Sequence, residues 1–217
     1  AGIAGGAAPP EFAASGVAKD ARIIAIKVAS PDKDIPVLPT IWECDIIAGL
    51  ERVYALRKDY PIAAVNMSIG WGKYRRACEG SAPAFAAAIR NLKSAGIASV
   101  VATGNNGYTD AIAFPSCLSD VISVGAISDR VQPDEDCEGF LRGPDQVDCY
   151  SNSSRRLLLL APGSSIESSV PGGGFMVMQG TSMAAPHVAG AVAVIRQKAP
   201  RASVSEILAA LQATGSP

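Results

Sequence analysis

Histidine is nearly absent from this chain: among 217 residues only His187 carries an imidazole. A zinc site draws on several nitrogen or sulfur ligands, and one histidine beside five cysteines with no C-x-x-C pair does not supply the usual spacing. Basic runs are missing too, the formal net charge is -1, and aromatics are too few to interleave with lysine or arginine. Nucleic acid and an anionic membrane surface are therefore excluded as partners. No apolar run approaches the ~20 residues that cross a bilayer; runs such as Leu157 to Ala161 and Ile97 to Ala102 are far too short. Repeats, low-complexity tracts and linker-like stretches are absent, so residues 1–217 are expected to form one domain around one core.

What is abundant is glycine, alanine and proline, a composition that suits closely packed α/β layers joined by tight turns. The five cysteines read as a disulfide framework, which places the protein in an oxidising compartment, secreted or periplasmic. Cys137 and Cys149 bracket a polar loop and make the first expected bridge, Cys78 and Cys117 the second, with one thiol left over. The chain opens on Ala1-Gly2-Ile3-Ala4-Gly5-Gly6 without a starting methionine or a capping segment, as a piece of a longer protein would.

In order, Ala21 to Ala29 is rich in β-branched residues and predicts a buried strand. Thr40 and Glu43 have capping-box spacing, with Asp45 a rival cap, ahead of a helical face through Ile46, Leu50 and Val53. Ile62 to Met67 predicts a strand, Ser81 a cap for a helix through Phe85, Ile89 and Leu92, and Ile97 to Ala102 and Val121 to Ile127 two further strands. Residues 128–154 are polar and read as a surface excursion. Leu157 to Leu160 follows as a short apolar run, and Val170 to Gly174 reads as hairpin-like. Phe175 to Met178 reads as a buried strand, Ala189 to Ile195 as a buried helix, and Ser203 with Glu206 as a second capping box. Strands alternating with helices predict an α/β fold, a mostly parallel sheet with helices on both faces.

Chemistry gathers where strands end. Ligands of open α/β sheets bind beyond the carboxyl ends of the strands, and three segments qualify: Ser68-Ile69-Gly70, Gly104-Asn105, and Gly180-Thr181-Ser182. The last puts Ser182 on the first turn of a helix, where unpaired N–H groups and the helix dipole favour negative charge. Pro186 is read as falling in that same turn, where its missing donor would have been idle. Alone, Ser182 is as well explained as an N-cap serine and Gly104-Asn105-Asn106-Gly107 as a turn.

Gly180-Thr-Ser-Met-Ala-Ala-Pro-His-Val-Ala-Gly190 closely resembles the nucleophile segment of subtilisin-like serine proteases, and other matches follow in the family's order across nearly the whole chain. The resemblance implies a three-layer fold, a polypeptide substrate bound as an extended strand, and no cofactor. It implies that Ser182 is the nucleophile, that Asn105, in Val101 to Gly107, donates to the oxyanion, and that Ser68, Ile69 and Gly70 line the substrate strand. Ala102, Thr103 and Gly104, with Ala113 nearby, are expected to bound a pocket for an apolar side chain. Many relatives bind calcium in a loop that falls here at residues 7–12, where Ala-Ala-Pro-Pro-Glu-Phe identifies no ligand set, and no metal ligand is expected there.

The departure from the family pattern lies in the base. Subtilisin-like enzymes order their triad as aspartate, histidine, serine, and the opening Ala1 to Gly6 resembles the sequence just after the family's histidine. The aspartate strand and histidine segment are thus expected before residue 1. His187 lies five positions after Ser182, about 140° around a helix of 3.6 residues per turn, and reads as a structural imidazole. The expectation is the carboxyl-terminal part of a serine endopeptidase domain, inactive without its upstream segment, which is also a candidate partner. The alternative is a peptide-binding module that keeps the groove without the base.

Overall fold

The alternation of short apolar runs with helical periods becomes, in a computed structural model that describes residues 1–7, 15–31, 39–133, 139 and 141–215, a parallel sheet between helical layers. A short helix α1 (Gly2–Gly5) precedes a two-stranded ribbon, β1 (Ala29–Pro31) and β2 (Pro39–Ile41), and helix α2 (Glu43–Leu56). Then come β3 (Ala64–Met67), β4 (Trp71–Tyr74), α3 (Pro83–Ser94), β5 (Ala98–Ala102), β6 (Ile112–Phe114) and β7 (Ile122–Ile127). Two small strands, β8 (Gln132–Pro133) and β9 (Leu141–Arg142), lead to β10 (Leu159–Pro162), the hairpin β11 (Ile166–Ser169) and β12 (Phe175–Met178), and helices α4 (Thr181–Lys198) and α5 (Val204–Thr214). The main sheet has the order β10-β7-β5-β3, and every pair in it is parallel.

Period-two alternation sorts the strand residues into two cores. Ile97 and Val101 face one side with Phe85, Ile89 and Leu92 of α3 and Ile46, Leu50 and Val53 of α2. Ala98, Val100 and Ala102, with Ile122, Val124 and Ala126, face the other, against Ala184, Ala185, Val188 and Val192 of α4 and Ile207 of α5. Strand β5 is buried at all positions, which is why its sequence is apolar but for the small Ser99. Helix α4 crosses beneath β3, β5, β7 and β10, so small residues on its inner face let it approach the whole sheet.

Several local expectations fail for reasons the neighbours supply. Residues 21–28 form no strand: no ladder partner lies beside them among the described residues, and Ile23 and Ile24 are exposed while Ile26 and Val28 pack on the α2 side. β-branched residues make a strand only when another strand completes the hydrogen bonds. Helix α2 is capped by Trp42 without a side-chain bond, rather than by Thr40 or Asp45, and α3 by Ala82 rather than Ser81, with Pro83 at its first position. Strand β12 is paired antiparallel to β11 and mostly exposed, not buried, because only one face of this hairpin meets the body. The Ser203–Glu206 capping box forms in full, and residues 170–174 make the predicted hairpin turn.

Cys78 and Cys117 are bridged, with their Cα atoms 5.6 Å apart. Cys149 is disulfide-bonded, Cys137 lies outside the described residues, and Cys44 is free and exposed. Of the loop at 7–12, only Ala7 lies within the described residues, and no group of His, Cys, Asp and Glu among those residues gathers to hold a metal. No described helix is long and apolar enough to cross a membrane.

Candidate active site

Because β3 and β5 are parallel neighbours, the loops leaving their carboxyl ends emerge side by side. Helix α4 starts at the same edge, and an open cleft of about 420 Å³ lies between them. Ser68, Ile69, Gly70 and Trp71 line one wall; Ala102, Gly104, Asn105 and Asn106 line the second, with Ala113, Ile41, Thr181 and Ser182 closing it. Among the described residues, no charged side chain lines the cleft. Seven of the eight residues singled out in the sequence line this cleft, while Thr103 is fully buried behind the loop and does not. Its carbonyl instead accepts the Ala113 N–H at 2.9 Å.

Ser182 is the second residue of α4. Gly180 caps the helix at φ 138°, a conformation open to glycine, and a Cβ there would stand 3.0 Å from Asn105 Nδ2. Neither the Ser182 N–H nor its Oγ has a hydrogen-bond partner among the described residues. The N–H is one of the idle donors of a helix start. Pro186 is not in that first turn: it is the sixth residue of the helix, where an N–H would have reached the Ser182 carbonyl. That carbonyl accepts the Ser68 hydroxyl instead, at 2.8 Å.

Asn105 is oriented by Thr181. Its Oδ1 accepts the Thr181 N–H at 2.9 Å and the Thr181 hydroxyl at 2.8 Å, while that hydroxyl accepts the Gly104 N–H at 3.1 Å. A backbone N–H can only donate, so the atom facing it must be the amide oxygen, and the Asn105 NH2 group is left for the cleft. Two donors, Ser182 N–H and Asn105 Nδ2, thus stand idle at one edge of the cleft, the arrangement that stabilises a developing oxyanion.

The loop holding Asn105 is itself clasped by a residue the sequence did not single out. Asn152, with no exposed surface, accepts the Asn106 and Tyr108 N–H groups on Oδ1 at 2.9 and 3.1 Å. Its Nδ2 donates to the Thr103 carbonyl at 2.9 Å and to Asn106 Oδ1 at 3.3 Å, and its N–H donates to the Gly104 carbonyl at 3.0 Å. Gly104, at φ 99°, is required beside it, since a Cβ would lie 2.5 Å from Asn152 Nδ2. The end of the polar stretch is therefore not a surface excursion: Asp148, Tyr150, Ser151 and Asn152 are buried, docked on β7 through Asp148 N–H to the Ala126 carbonyl and Ala126 N–H to Ser151 Oγ. Tyr150 donates to Asp148 Oδ2 at 2.9 Å, so the Ser164 hydroxyl, also 2.9 Å away, donates to the phenol oxygen. Burial pushes the Tyr150 pKa up, and the phenol stays neutral. The one available signal was the loop's own arithmetic: a tight Gly-Asn-Asn-Gly turn leaves peptide groups that a distant polar side chain must satisfy.

His187 does not face Ser182. Its Nδ1 lies 2.9 Å from the Met183 carbonyl, one turn back on α4, and a carbonyl only accepts, so Nδ1 carries the proton. Burial holds its pKa below the ordinary imidazole value, against the opposing pull of the Met183 carbonyl and the Asp129 charge. The folded state thus favours the neutral ring, and an unfolded chain binds the proton first as pH falls. Stability from this group is fully present above the unfolded pKa of about 6.5 and declines as pH falls through it toward the lower folded value. Urea midpoints should drop between pH 7.5 and 5.5, and His187→Gln should flatten that decline; an equal decline in the variant contradicts this assignment.

The sequence model of the Subtilase family matches residues 1–215. An intracellular serine protease of Paenibacillus polymyxa is 35% identical over 188 residues, covering 85% of this chain and 48% of that protein. Subtilisin E of Bacillus subtilis is 30% identical over 202 residues, covering 92% of this chain and 45% of that protein. The chain therefore spans about half the length of these relatives. Among solved structures, Sphericase superposes with a TM-score of 0.78 at 26% identity, over 98% of this chain and 66% of its own. A cold-adapted subtilisin-like serine proteinase gives 0.71 at 25% identity, over 93% and 63%. The chain belongs to the Subtilase family.

Proposed function

We propose that this chain carries the nucleophile and the oxyanion donors of a serine endopeptidase, with Ser182 attacking the scissile carbonyl and Asn105 Nδ2 and Ser182 N–H holding the oxygen that becomes negative. The observation that carries this reading is the junction of two idle donors and an unpaired serine hydroxyl in a cleft whose described lining carries no charge. The β3 ladder ends at Met67, so the peptide groups of Ser68, Ile69 and Gly70 are outside any ladder among the described residues and suit pairing with an extended substrate. Gly70, Ala102, Gly104 and Ala113 leave room below that strand for an uncharged side chain.

In this proposal the proton of Ser182 passes to an imidazole, oriented by a carboxylate, that comes from a segment outside the 217 residues, because the sole histidine is held by the Met183 carbonyl. The imidazole then protonates the leaving amine, and water cleaves the acyl-enzyme by the reverse sequence. No cofactor is needed. The Cys78–Cys117 bridge supports an oxidising, secreted setting, although one relative is named an intracellular protease. The engagement of the sole histidine by the Met183 carbonyl favours, as a second reading, a module that binds peptides without cleaving them.

Peptide hydrolysis by the full-length polypeptide that carries this sequence separates the two. The proposal expects turnover that Ser182→Ala reduces by several orders of magnitude while peptide affinity persists. Binding without turnover in the unmodified protein supports the second reading, and hydrolysis that survives Ser182→Ala overturns the first.

A further inference from the structure

Proline inside a helix normally leaves a carbonyl one turn back without its donor. Here that carbonyl belongs to Ser182, and its acceptor capacity is met from another layer of the fold, 114 residues away in sequence, by the Ser68 hydroxyl at 2.8 Å. The direction of that bond is fixed. Asn66 Nδ2 lies 3.0 Å from Ser68 Oγ, and an amide NH2 group can only donate, so the hydroxyl accepts from Asn66 and spends its single proton on the Ser182 carbonyl. Asn66 sits on β3, registered to Val100 of β5 in the centre of the sheet, so the relay joins the sheet to the first turn of α4.

We propose that Ser68 is a positioning residue for Ser182: the chain Asn66 to Ser68 to Ser182 carbonyl replaces the helix rung that Pro186 removes and fixes the peptide on which the nucleophile rides. The proposal rests on the reading of Ser182 as the nucleophile. It assigns Ser68 a role distinct from contact with substrate, even though Ser68 also lines the cleft, and it gives Asn66 a role in directing the hydroxyl.

The two roles of Ser68 separate in a cycle with Pro186, since Pro186→Ala returns an N–H to the missing rung. In the full-length protein, Ser68→Ala should slow fluorophosphonate labelling of Ser182 about tenfold, the scale of one hydrogen bond. In the Pro186→Ala background the same change should cost no more than about twofold. Amide exchange of Met183 and Ala184, whose N–H groups bond to the Gly180 carbonyl, should quicken about tenfold with Ser68→Ala and not when residue 186 is alanine. Ser68→Thr, which keeps a hydroxyl, should stay within about threefold of the unmodified protein and guards against a folding defect. Equal losses in both backgrounds, or no loss in either, overturn the relay. Unmodified protein that does not label overturns the nucleophile reading instead, and the exchange pattern then still decides the relay.

Discussion

Asn105→Asp should lower turnover by two to three orders of magnitude while leaving the urea midpoint close to that of the unmodified protein. The aspartate keeps an oxygen where Thr181 N–H and Thr181 Oγ1 donate, so the loop stays docked on α4. What it loses is the NH2 group, and a carboxylate oxygen now repels the charge that develops on the substrate. Loss of the corresponding donor in subtilisin, a member of this family, has that magnitude. Asn105→Ala would confound the test: it strands two donors of Thr181, which is only 1% exposed, at about 1–3 kcal/mol each. KM should move little, because the oxyanion forms after binding. Turnover of Asn105→Asp within tenfold of the unmodified protein would remove Asn105 from the site.

Asn152→Ala should be the more destructive change for the fold. It deletes four side-chain hydrogen bonds and leaves the Asn106 and Tyr108 N–H groups without their partner, while the Thr103 carbonyl keeps only the Ala113 N–H. About 3–5 kcal/mol of stability should be lost, at the upper end for one substitution, because the clasp is buried and water cannot replace it. Turnover should fall as well, since the residues either side of Asn105 are the ones released. Measured in the Asn105→Asp background, the further loss of turnover from Asn152→Ala should shrink to a fewfold, while its cost in urea midpoint should be unchanged. Full additivity in turnover would mean that Asn152 acts on the reaction by another route.

The parts of the site legible in the sequence are those written locally. Gly180 to Gly190 encodes a strand-to-helix turn, and Gly104-Asn105 and Ser68-Ile69-Gly70 follow strands whose apolar runs are unmistakable. The structure brings these loops together because β3 and β5 are parallel neighbours, which the alternation of strands and helices already implied. What was not legible depends on partners remote in sequence. Asn152 looks like any polar loop residue until the backbone of the Asn105 loop needs it. Pro186 reads as harmless near a helix start, and only the placement of the start at Thr181 shows that it deprives Ser182 of a rung. Residues 21–28 have strand propensity and no partner among the described residues, and propensity alone does not close a ladder. The caps at Trp42 and Ala82 likewise show spacing rules yielding to the direction from which the chain enters the helix.

The central claim is that Ser182 is the nucleophile of this cleft, and mapping a fluorophosphonate adduct on the full-length protein by mass spectrometry of its peptides tests it most directly. The prediction is a single adduct on Ser182, absent from Ser182→Ala and formed more slowly in Asn105→Asp. Labelling at a different serine, with Ser182 unmodified and peptide hydrolysis blocked, would contradict it.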